Sequence, residues 1–191
     1  SQIPGITIAG ADPELIPCTP AADAEFLYYG QCKSISGVPA TPDGIPTPAL
    51  ITRAALRRSR IPILIVDAGS KIKPQLPAIS FGIQYGRDIR NQRALERDDA
   101  QRAFEFGKMI GIQLAMSNDI LIIGESIPGG TTTALAVLTA LGVDAKNKIS
   151  SSMLVNPHEL KNEVVSSAMR RLEDHILQLR NDPIDLVSRI G

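Results

Sequence analysis

Short apolar runs alternate along this 191-residue chain with longer stretches in which apolar residues recur every three or four positions. Residues 61–66 (Ile-Pro-Ile-Leu-Ile-Val) and 120–123 (Ile-Leu-Ile-Ile) are apolar at every position. Runs of this kind are typical of parallel strands that are buried on both faces. The pattern therefore predicts strands at 61–66 and 120–123, and a further strand at 152–155.

Four helices are predicted from their first residues, because in each a capping side chain precedes a proline. The four pairs are Thr19-Pro20, Thr47-Pro48, Asn156-Pro157 and Asp182-Pro183. We expect the first helix to end near Gly30 and the second near Arg58. The third is expected to be the longest, with Glu159 and Asn156 forming a capping box at its start.

One more helix is predicted between the first two strands, and another after the second strand. Apolar residues repeat at helical spacing over residues 98–116, and a helix over 132–141 is expected to end at Gly142. Strands that alternate with helices favour βαβ units with parallel strands. We predict one α/β domain over residues 1–191, with a mostly parallel sheet flanked by helices. Because the chain begins with Ser1 rather than Met, we interpret it as a fragment of a longer protein.

Residues 68–97 fit this pattern poorly, since they show little periodicity and are interrupted by prolines and glycines. An irregular loop of that length is unusual inside a compact domain. Three interpretations stay open: a functional insertion, a dimer contact, or secondary structure that the pattern does not reveal. The arginines in and beside this stretch favour a solvated or subunit-contact face over a substrate role; they are Arg87, Arg90, Arg93 and Arg97.

Charge and cysteine content narrow the class of protein. The chain has 20 Lys and Arg against 20 Asp and Glu, which argues against a nucleic-acid or polybasic membrane partner. No apolar run approaches the roughly 18 residues of a membrane span. Cys18 and Cys32 lack metal-ligand spacing, and two free thiols in a reduced cytoplasm are favoured over a disulfide. We therefore expect a cytoplasmic protein without a metal site.

Residues 124–133 (Gly-Glu-Ser-Ile-Pro-Gly-Gly-Thr-Thr-Thr) form a glycine-rich segment between a predicted strand and a predicted helix. The spacing matches a nucleotide-binding P-loop, except that Gly130 stands where that motif has lysine. An ATPase is therefore disfavoured, but the geometry still suits a single phosphate. Gly129 and Gly130 allow close approach of the backbone, and Thr131 and Thr132 add hydroxyl donors at the helix start. The alternative is a tight turn without a ligand.

Three charged residues are further candidates, each with a plain structural alternative. Glu125 is placed to accept a hydrogen bond from a ribose hydroxyl, or is a solvated surface residue. Lys161, in the first turn of the third capped helix, is equally a phosphate ligand or a surface lysine. Asp67, after a predicted strand, either binds a hydroxyl or caps the following turn.

Five segments together resemble a known family, the nicotinate-nucleotide:dimethylbenzimidazole phosphoribosyltransferases of cobalamin biosynthesis. The resemblance is closest to their archaeal and cyanobacterial branch, much of which is uncharacterised. The segments cover nearly the whole chain in the family's order: residues 19–26, 44–52, 66–69, 124–133 and 156–161.

The resemblance implies a Rossmann-like parallel sheet and a homodimer, and we expect no cofactor. It implies that the enzyme displaces nicotinate from nicotinate mononucleotide with 5,6-dimethylbenzimidazole or a related base, giving α-ribazole phosphate. The loop from Glu125 to Thr132 would then meet the mononucleotide, Lys161 would lie near its phosphate, and Thr47 would lie beside the base. Glu125 is the catalytic candidate, since a carboxylate stabilises the positive charge that develops on the ribose.

The chain departs from the bacterial members of this family in three ways. Those members carry asparagine where Gly130 stands, and a glutamine near the benzimidazole is replaced around Ala55. Their general base is a glutamate that would lie beyond Gly191. Two alternatives to the transferase are a homologue that binds a phosphorylated nucleotide without transferring it, and a phosphotransferase of unfamiliar type.

Overall fold

A computed structural model describes residues 6–7, 12–151 and 153–191 of the chain. Seven α-helices lie in this part of the chain, with two short parallel strands between the second and the third. The α-helices are α1 (Thr19–Tyr29), α2 (Ala49–Ser59), α3 (Arg97–Ala115), α4 (Gly130–Ala140), α5 (His158–Leu172), α6 (Ile176–Leu179) and α7 (Pro183–Ile190). The strands are β1 (Val66–Asp67) and β2 (Ile79–Ser80), and single 3-10 turns cover Ile16–Cys18 and Glu173–His175.

The main hydrophobic core lies between α4, α5 and α7. Small residues on α4 and α5 pack with larger aliphatic side chains, so that these helices approach one another closely. The core is completed from outside these helices by Ile89, Ala94 and Ala145. Its fully buried members on the helices include Leu135, Ala136, Val164, Ala168, Leu172, Leu186 and Ile190.

Several predicted helix ends are confirmed, but the predicted cap at Thr19 is wrong. Thr19 is the first residue within α1, and its buried hydroxyl has no partner among the described groups. Gly30 and Gly142 have φ values of 85° and 87°, the left-handed conformation that glycine adopts without steric cost after a helix. The carboxylate of Asp182 accepts a hydrogen bond of 3.0 Å from the amide of Asp185, and so caps α7. Thr47 caps α2 in the same manner, because its hydroxyl accepts a 3.2 Å bond from the amide of Ala49.

Two expectations about the third capped helix are wrong. The side chain of Asn156 donates to the carbonyl of Ile149 at 2.7 Å and makes no capping bond to α5. The helix is also shorter than expected, because a 3-10 turn at Glu173–His175 separates α5 from α6. With 19 residues, α3 is longer than the 15-residue α5.

The parallel sheet is smaller than expected. Val66 pairs with Ile79 and Asp67 with Ser80, in parallel register. The α/β class with a parallel sheet is supported, while the larger Rossmann-like sheet stays a prediction. Residues 61–65, 120–123 and 153–155 are not strands, and residue 152 lies outside the described part. A strand needs a hydrogen-bonded neighbour, and Ile123, which is 93% exposed, has no strand beside it among the described residues.

Part of the irregular stretch 68–97 proves to be core structure, which is the third of the interpretations left open. It contains β2, and the ring of Phe81 stacks on that of Phe106 in α3 at 5.2 Å between centroids. Ile83 and Ile89 are buried further along the same stretch. The spacing of these residues follows neither a helix nor a long strand, and so the pattern did not reveal them.

The arginines of this stretch form ion pairs within the chain. The four pairs are Arg87 with Glu96 at 2.6 Å, Arg90 with Asp88 at 2.6 Å, Arg93 with Asp185 at 2.5 Å and Arg97 with Asp182 at 3.0 Å. The last two join the start of α3 and the segment before it to α7. These guanidinium groups therefore have structural partners, which the sequence pattern did not identify.

Cys18 and Cys32 are both free thiols, and the Cys32 thiol donates to the carbonyl of Ala22 at 3.4 Å. None of the helices in the described ranges is both long enough and apolar enough to cross a bilayer.

Substitutions of a buried and an exposed aliphatic residue test this core. Leu172→Ala should lower the free energy of unfolding by about 2–5 kcal/mol, because Leu172 is fully buried and its loss leaves a cavity. Ile123→Ala should change it by less than about 0.5 kcal/mol, since that side chain is in solvent. Urea denaturation of the 191-residue chain measures both, and equal effects would contradict the assignment of the core.

Candidate active site

The glycine-rich loop presents unpaired backbone amides at the start of α4. Gly129 has a φ of 72° and is the residue before the helix. The amide of Gly130 donates to the carbonyl of Ile127, but the amides of Gly129 and Thr131 have no acceptor among the described residues. Such amides, together with the positive end of the helix dipole, form an anion-binding concavity. Two free donors are therefore available at the predicted phosphate position.

Lys161 is the most deeply buried charged residue beside this loop. It lies in the first turn of α5 and is only 1% exposed. Its ammonium donates to the hydroxyl of Thr131 at 3.1 Å and to the carbonyl of Ser150 at 2.6 Å. Burial lowers the pKa of this amine, and no carboxylate forms an ion pair with it in the described part of the chain. Of the two alternatives that the sequence left open, the surface lysine is wrong.

The donors of Lys161 and Thr131 are not all used within the protein. A lysine ammonium carries three protons, of which two are accounted for by Thr131 and Ser150. Because the Thr131 hydroxyl accepts from Lys161, its own proton remains free to donate. The buried hydroxyl of Thr132 has no partner among the described groups. Unsatisfied donors around a buried cation are the arrangement that a phosphate would complete.

Glu125 lies over the same helix start but is exposed. A Cβ atom added to Gly130 would be 3.3 Å from the Cβ of Ile127 and 3.4 Å from Oε1 of Glu125. The carboxylate therefore sits near the positive end of the α4 dipole, which is favourable for a negative group. Its catalytic role stays a prediction. The absence of a side chain at Gly130 keeps the approach to the amides open.

A buried carboxylate joins the loop to the first two helices. Asp23 on α1 accepts a bond from the Thr47 hydroxyl on one oxygen and from the Ser126 hydroxyl on the other, both of 2.7 Å. Burial raises the pKa of Asp23, and the two hydroxyl bonds oppose this shift without cancelling it. Thr47, the residue predicted to lie beside the base, is thus connected to the glycine-rich loop through Asp23, which the sequence analysis did not select.

The contacts of Asp67 are those of a residue that caps the following turn, the second of the two interpretations given for it from the sequence. One carboxylate oxygen accepts from the amide of Gly69 and from both the amide and the hydroxyl of Ser70, and the other pairs with Lys73 at 2.8 Å. Burial acts to raise the pKa of Asp67, but the Lys73 and Ser70 bonds outweigh it and set the pKa at about 2. Asp67 makes no described contact with the other predicted site residues, and its role as a ligand stays a prediction.

A second buried acid of α1 was also missed. Glu25 is fully buried, and its carboxylate accepts from the amides of Lys33, Ser34 and Gln75 and from the Ser34 hydroxyl. Burial acts to raise its pKa, yet the backbone bonds, that of Gln75 first, bring the pKa below its usual value. The sequence feature that could have indicated both missed residues is the presence of two acids, Asp23 and Glu25, within an alanine-rich helix.

The structure therefore brings together most of the predicted site. Lys161 contacts Thr131, and Glu125 lies beside Gly130 in the loop that leads to Thr132. No cluster of three or more His, Cys, Asp or Glu that would hold a metal occurs among the described residues. The arrangement joins two helix starts and one buried cation, a geometry that suits an anion.

Comparison with known proteins identifies the class. A family model described as a phosphoribosyltransferase matches residues 51–191. The chain belongs to the family of nicotinate-nucleotide:dimethylbenzimidazole phosphoribosyltransferase-like proteins, which confirms the resemblance inferred from its motifs. The match includes the glycine-rich loop and Lys161, but it does not test the role of either.

Individual relatives come from archaea. The chain is 52% identical over all of its 191 residues to a UPF0284 protein of Archaeoglobus fulgidus, and covers 54% of that relative. It is 53% identical over 177 residues to a UPF0284 protein of Sulfurisphaera tokodaii, covering 93% of the chain and 51% of the relative. The chain thus spans about half the length of the relatives that it matches.

The pKa of Asp67 gives a prediction about acid stability. Because the pKa is about 2 in the folded chain against an ordinary value of 3.8, ionised Asp67 stabilises the fold above about pH 4. This stabilisation, about 2 kcal/mol from the size of the shift, should be lost as the pH falls from about 4 to 2. Asp67→Asn should lower the free energy of unfolding at pH 7 and remove that part of the pH dependence.

Asp144→Asn is the matched control. Asp144 pairs with Lys148 at 2.8 Å, but its side chain is 79% exposed. An exposed pair of this kind contributes about 0–1 kcal/mol, so the variant should unfold almost as the parent does. Urea denaturation at pH 7 and pH 3 measures both variants. Equal losses of unfolding free energy in the two variants would contradict a stabilising role for the buried carboxylate of Asp67.

Proposed function

We propose that this protein is a phosphoribosyltransferase that moves the phosphoribosyl group of nicotinate mononucleotide to 5,6-dimethylbenzimidazole or a related base. The product would be α-ribazole phosphate, made for cobalamin biosynthesis. The observation that carries the proposal is the buried ammonium of Lys161, which has no carboxylate partner among the described residues and lies between the first turns of α4 and α5. Membership in the transferase family supports the reaction class.

The anion site suits the 5′-phosphate of a mononucleotide. The Lys161 ammonium, the Thr131 hydroxyl and the amides of Gly129 and Thr131 would each donate to a phosphate oxygen. Fixing the phosphate also fixes the ribose along the loop, so that the attacking base meets the anomeric carbon in one orientation. Such alignment converts binding energy into a lower activation barrier.

Glu125 is proposed to act on the ribose. Displacement of nicotinate builds positive charge on the sugar ring, and a carboxylate at the loop edge would stabilise that charge. The exposed position of Glu125 next to Gly130 leaves it free to reach a ligand that occupies the loop. The benzimidazole nitrogen forms the new bond to the anomeric carbon, nicotinate leaves with the electrons of the old bond, and the base loses its N–H proton.

The acceptor of that proton is proposed to lie in a part of the protein outside these 191 residues. The chain covers only about half of its relatives, and extended apolar residues lie uncovered beside the loop. Ile120 is 80% exposed and Ile123 is 93% exposed. Further strands of a longer polypeptide would bury them and complete a Rossmann-like sheet. A homodimer and a cytoplasmic location belong to the same proposal.

Binding of nicotinate mononucleotide to the 191-residue chain tests the phosphate site. Lys161→Met should weaken binding by about 10- to 100-fold, because it removes a charge-assisted hydrogen bond from a buried position. Lys148→Met, which changes an exposed lysine, should leave affinity unchanged. Isothermal titration calorimetry measures the dissociation constants, and circular dichroism shows that the variants are folded.

Gly130→Asp supplies an independent test of the loop. A carboxylate there would occupy the space beside Ile127 and Glu125 and repel the phosphate, so that binding should be lost. Equal affinity in the parent, Lys161→Met and Gly130→Asp proteins would contradict the proposed phosphate site. Binding without transfer to benzimidazole, in a protein of the relatives' full length, would instead favour a non-catalytic nucleotide-binding homologue.

A further inference from the structure

Three guanidinium groups meet around a single carboxylate where the segment before α3 meets the last turns of α5 and α7. Arg93 of that segment and Arg189 of α7 both pair with Asp185, at 2.5 Å and 2.9 Å. Arg171, in the last turn of α5, donates to the carbonyls of Arg189 at 3.0 Å and of Ile89 at 3.3 Å. We call the three arginines and Asp185 the arginine cluster, in which three cations face one anion.

The excess positive charge of the arginine cluster is not balanced by the acids beside it. Glu96 pairs with Arg87 at 2.6 Å, and Asp182 pairs with Arg97 at 3.0 Å. The negative ends of the α5 and α7 dipoles, roughly half a charge each, offset only part of the excess. Burial lowers the pKa of Arg171, and the other two guanidinium groups of the cluster add to this shift. Repulsion between like charges therefore remains.

Several N–H groups of the arginine cluster have no acceptor among the described residues. The Nε of Arg93 is buried without a partner. Both terminal nitrogens of Arg189 and Nη1 of Arg171 also make no hydrogen bond within the described part of the chain. The Arg189 side chain is 26% exposed, so a solute can reach it. Unused guanidinium donors and excess positive charge in one place suit an anion with several oxygens.

The arginine cluster lies apart from the glycine-rich loop. Arg171 follows Lys161 by ten residues on α5, which places their backbones about 15 Å apart along the helix axis. The described hydrogen bonds and ion pairs of the three arginines are made with α7 and with the segment before α3, and none with residues 124–133. An anion held at the cluster would therefore be additional to any phosphate beside Lys161.

We propose that the arginine cluster is a second anion site, which takes a phosphate-class oxyanion, either free orthophosphate or the phosphoryl group of a monoester. The oxyanion would accept from the unused N–H groups of Arg171 and Arg189, and would so tie the end of α5 to α7. This proposal goes beyond the proposed function, because it uses neither the loop nor Lys161. A ligand that binds only the folded chain stabilises it, and so phosphate should raise the melting temperature.

The test is thermal melting of the Lys161→Met chain, which lacks the ammonium of the proposed loop site. Phosphate at about ten times its dissociation constant should raise the melting temperature by at least about 3 °C over potassium chloride of equal ionic strength. Acetate should raise it by less than about 1 °C. Adding Arg171→Met should abolish the effect of phosphate. Adding Arg170→Met should preserve it, since Arg170 is exposed and its guanidinium contacts only the Ser167 hydroxyl among the described groups.

Ribose 5-phosphate, tested in the same way, distinguishes the two sources of the oxyanion. A rise with orthophosphate alone assigns the site to the free ion, and a rise with both assigns it to phosphate monoesters as well. Either result supports the proposal.

Asp185→Asn gives a prediction of opposite sign and decides the matter if Arg171→Met does not fold. It removes the one carboxylate of the cluster, so phosphate should bind at least about threefold more tightly, although the ion pairs are lost. The Gly130→Asp chain replaces Lys161→Met as the background if the latter is unfolded. Phosphate without effect on the background chain overturns the proposal. A rise that survives Arg171→Met, a rise that acetate matches, or weaker phosphate binding in Asp185→Asn also overturns it. Failure of nucleotide binding at the loop leaves this comparison unaffected.

Discussion

Burying an ammonium group without a carboxylate beside it costs free energy, because the charge loses its hydration and gains only neutral partners. Lys161 is in this position, at the start of a helix whose dipole is itself positive there. The hydroxyl of Thr131 and the carbonyl of Ser150 offset part of the cost. A bound anion would offset the remainder, so the fold places this buried charge where a phosphate would make it favourable.

The surrounding core explains how the chain tolerates this charge. Leu135 and Ala136 of α4 and Val164 and Val165 of α5 are buried in the same cluster, and so the two helices keep their starts close together without help from the lysine. Since packing interactions fix the helix positions, the unpaired amides of the loop remain available to a ligand. The site is preorganised in this sense, with its donors held by elements that the core stabilises.

Local signals in the sequence predicted several helix ends, although the caps expected at Thr19 and Asn156 are absent, and non-local features were predicted poorly. The left-handed Gly30 and the capping carboxylate of Asp182 act within a few residues of their own positions, so short motifs suffice to identify them. Residues 120–123 have the composition of a strand, but pairing depends on a neighbour that can be far away in sequence. Lys161 was ambiguous for the same reason, since its burial comes from packing around α4 and α5. Asp23 was missed because its partners are 24 and 103 residues away.

The proposed phosphate-binding side and base-binding side of the candidate site differ in how many of their residues lie within this chain. On the proposed phosphate side, every donor belongs to α4, α5 or the loop that leads into α4, and both helices are part of the main core. On the proposed base side, Thr47 is buried, but residues 120–123, which precede the loop in sequence, are exposed along their length. Apolar surface left in solvent on this scale is normally covered in a functional assembly. Phosphate affinity should therefore depend mainly on this chain, whereas base binding and proton removal also require whatever polypeptide covers those isoleucines.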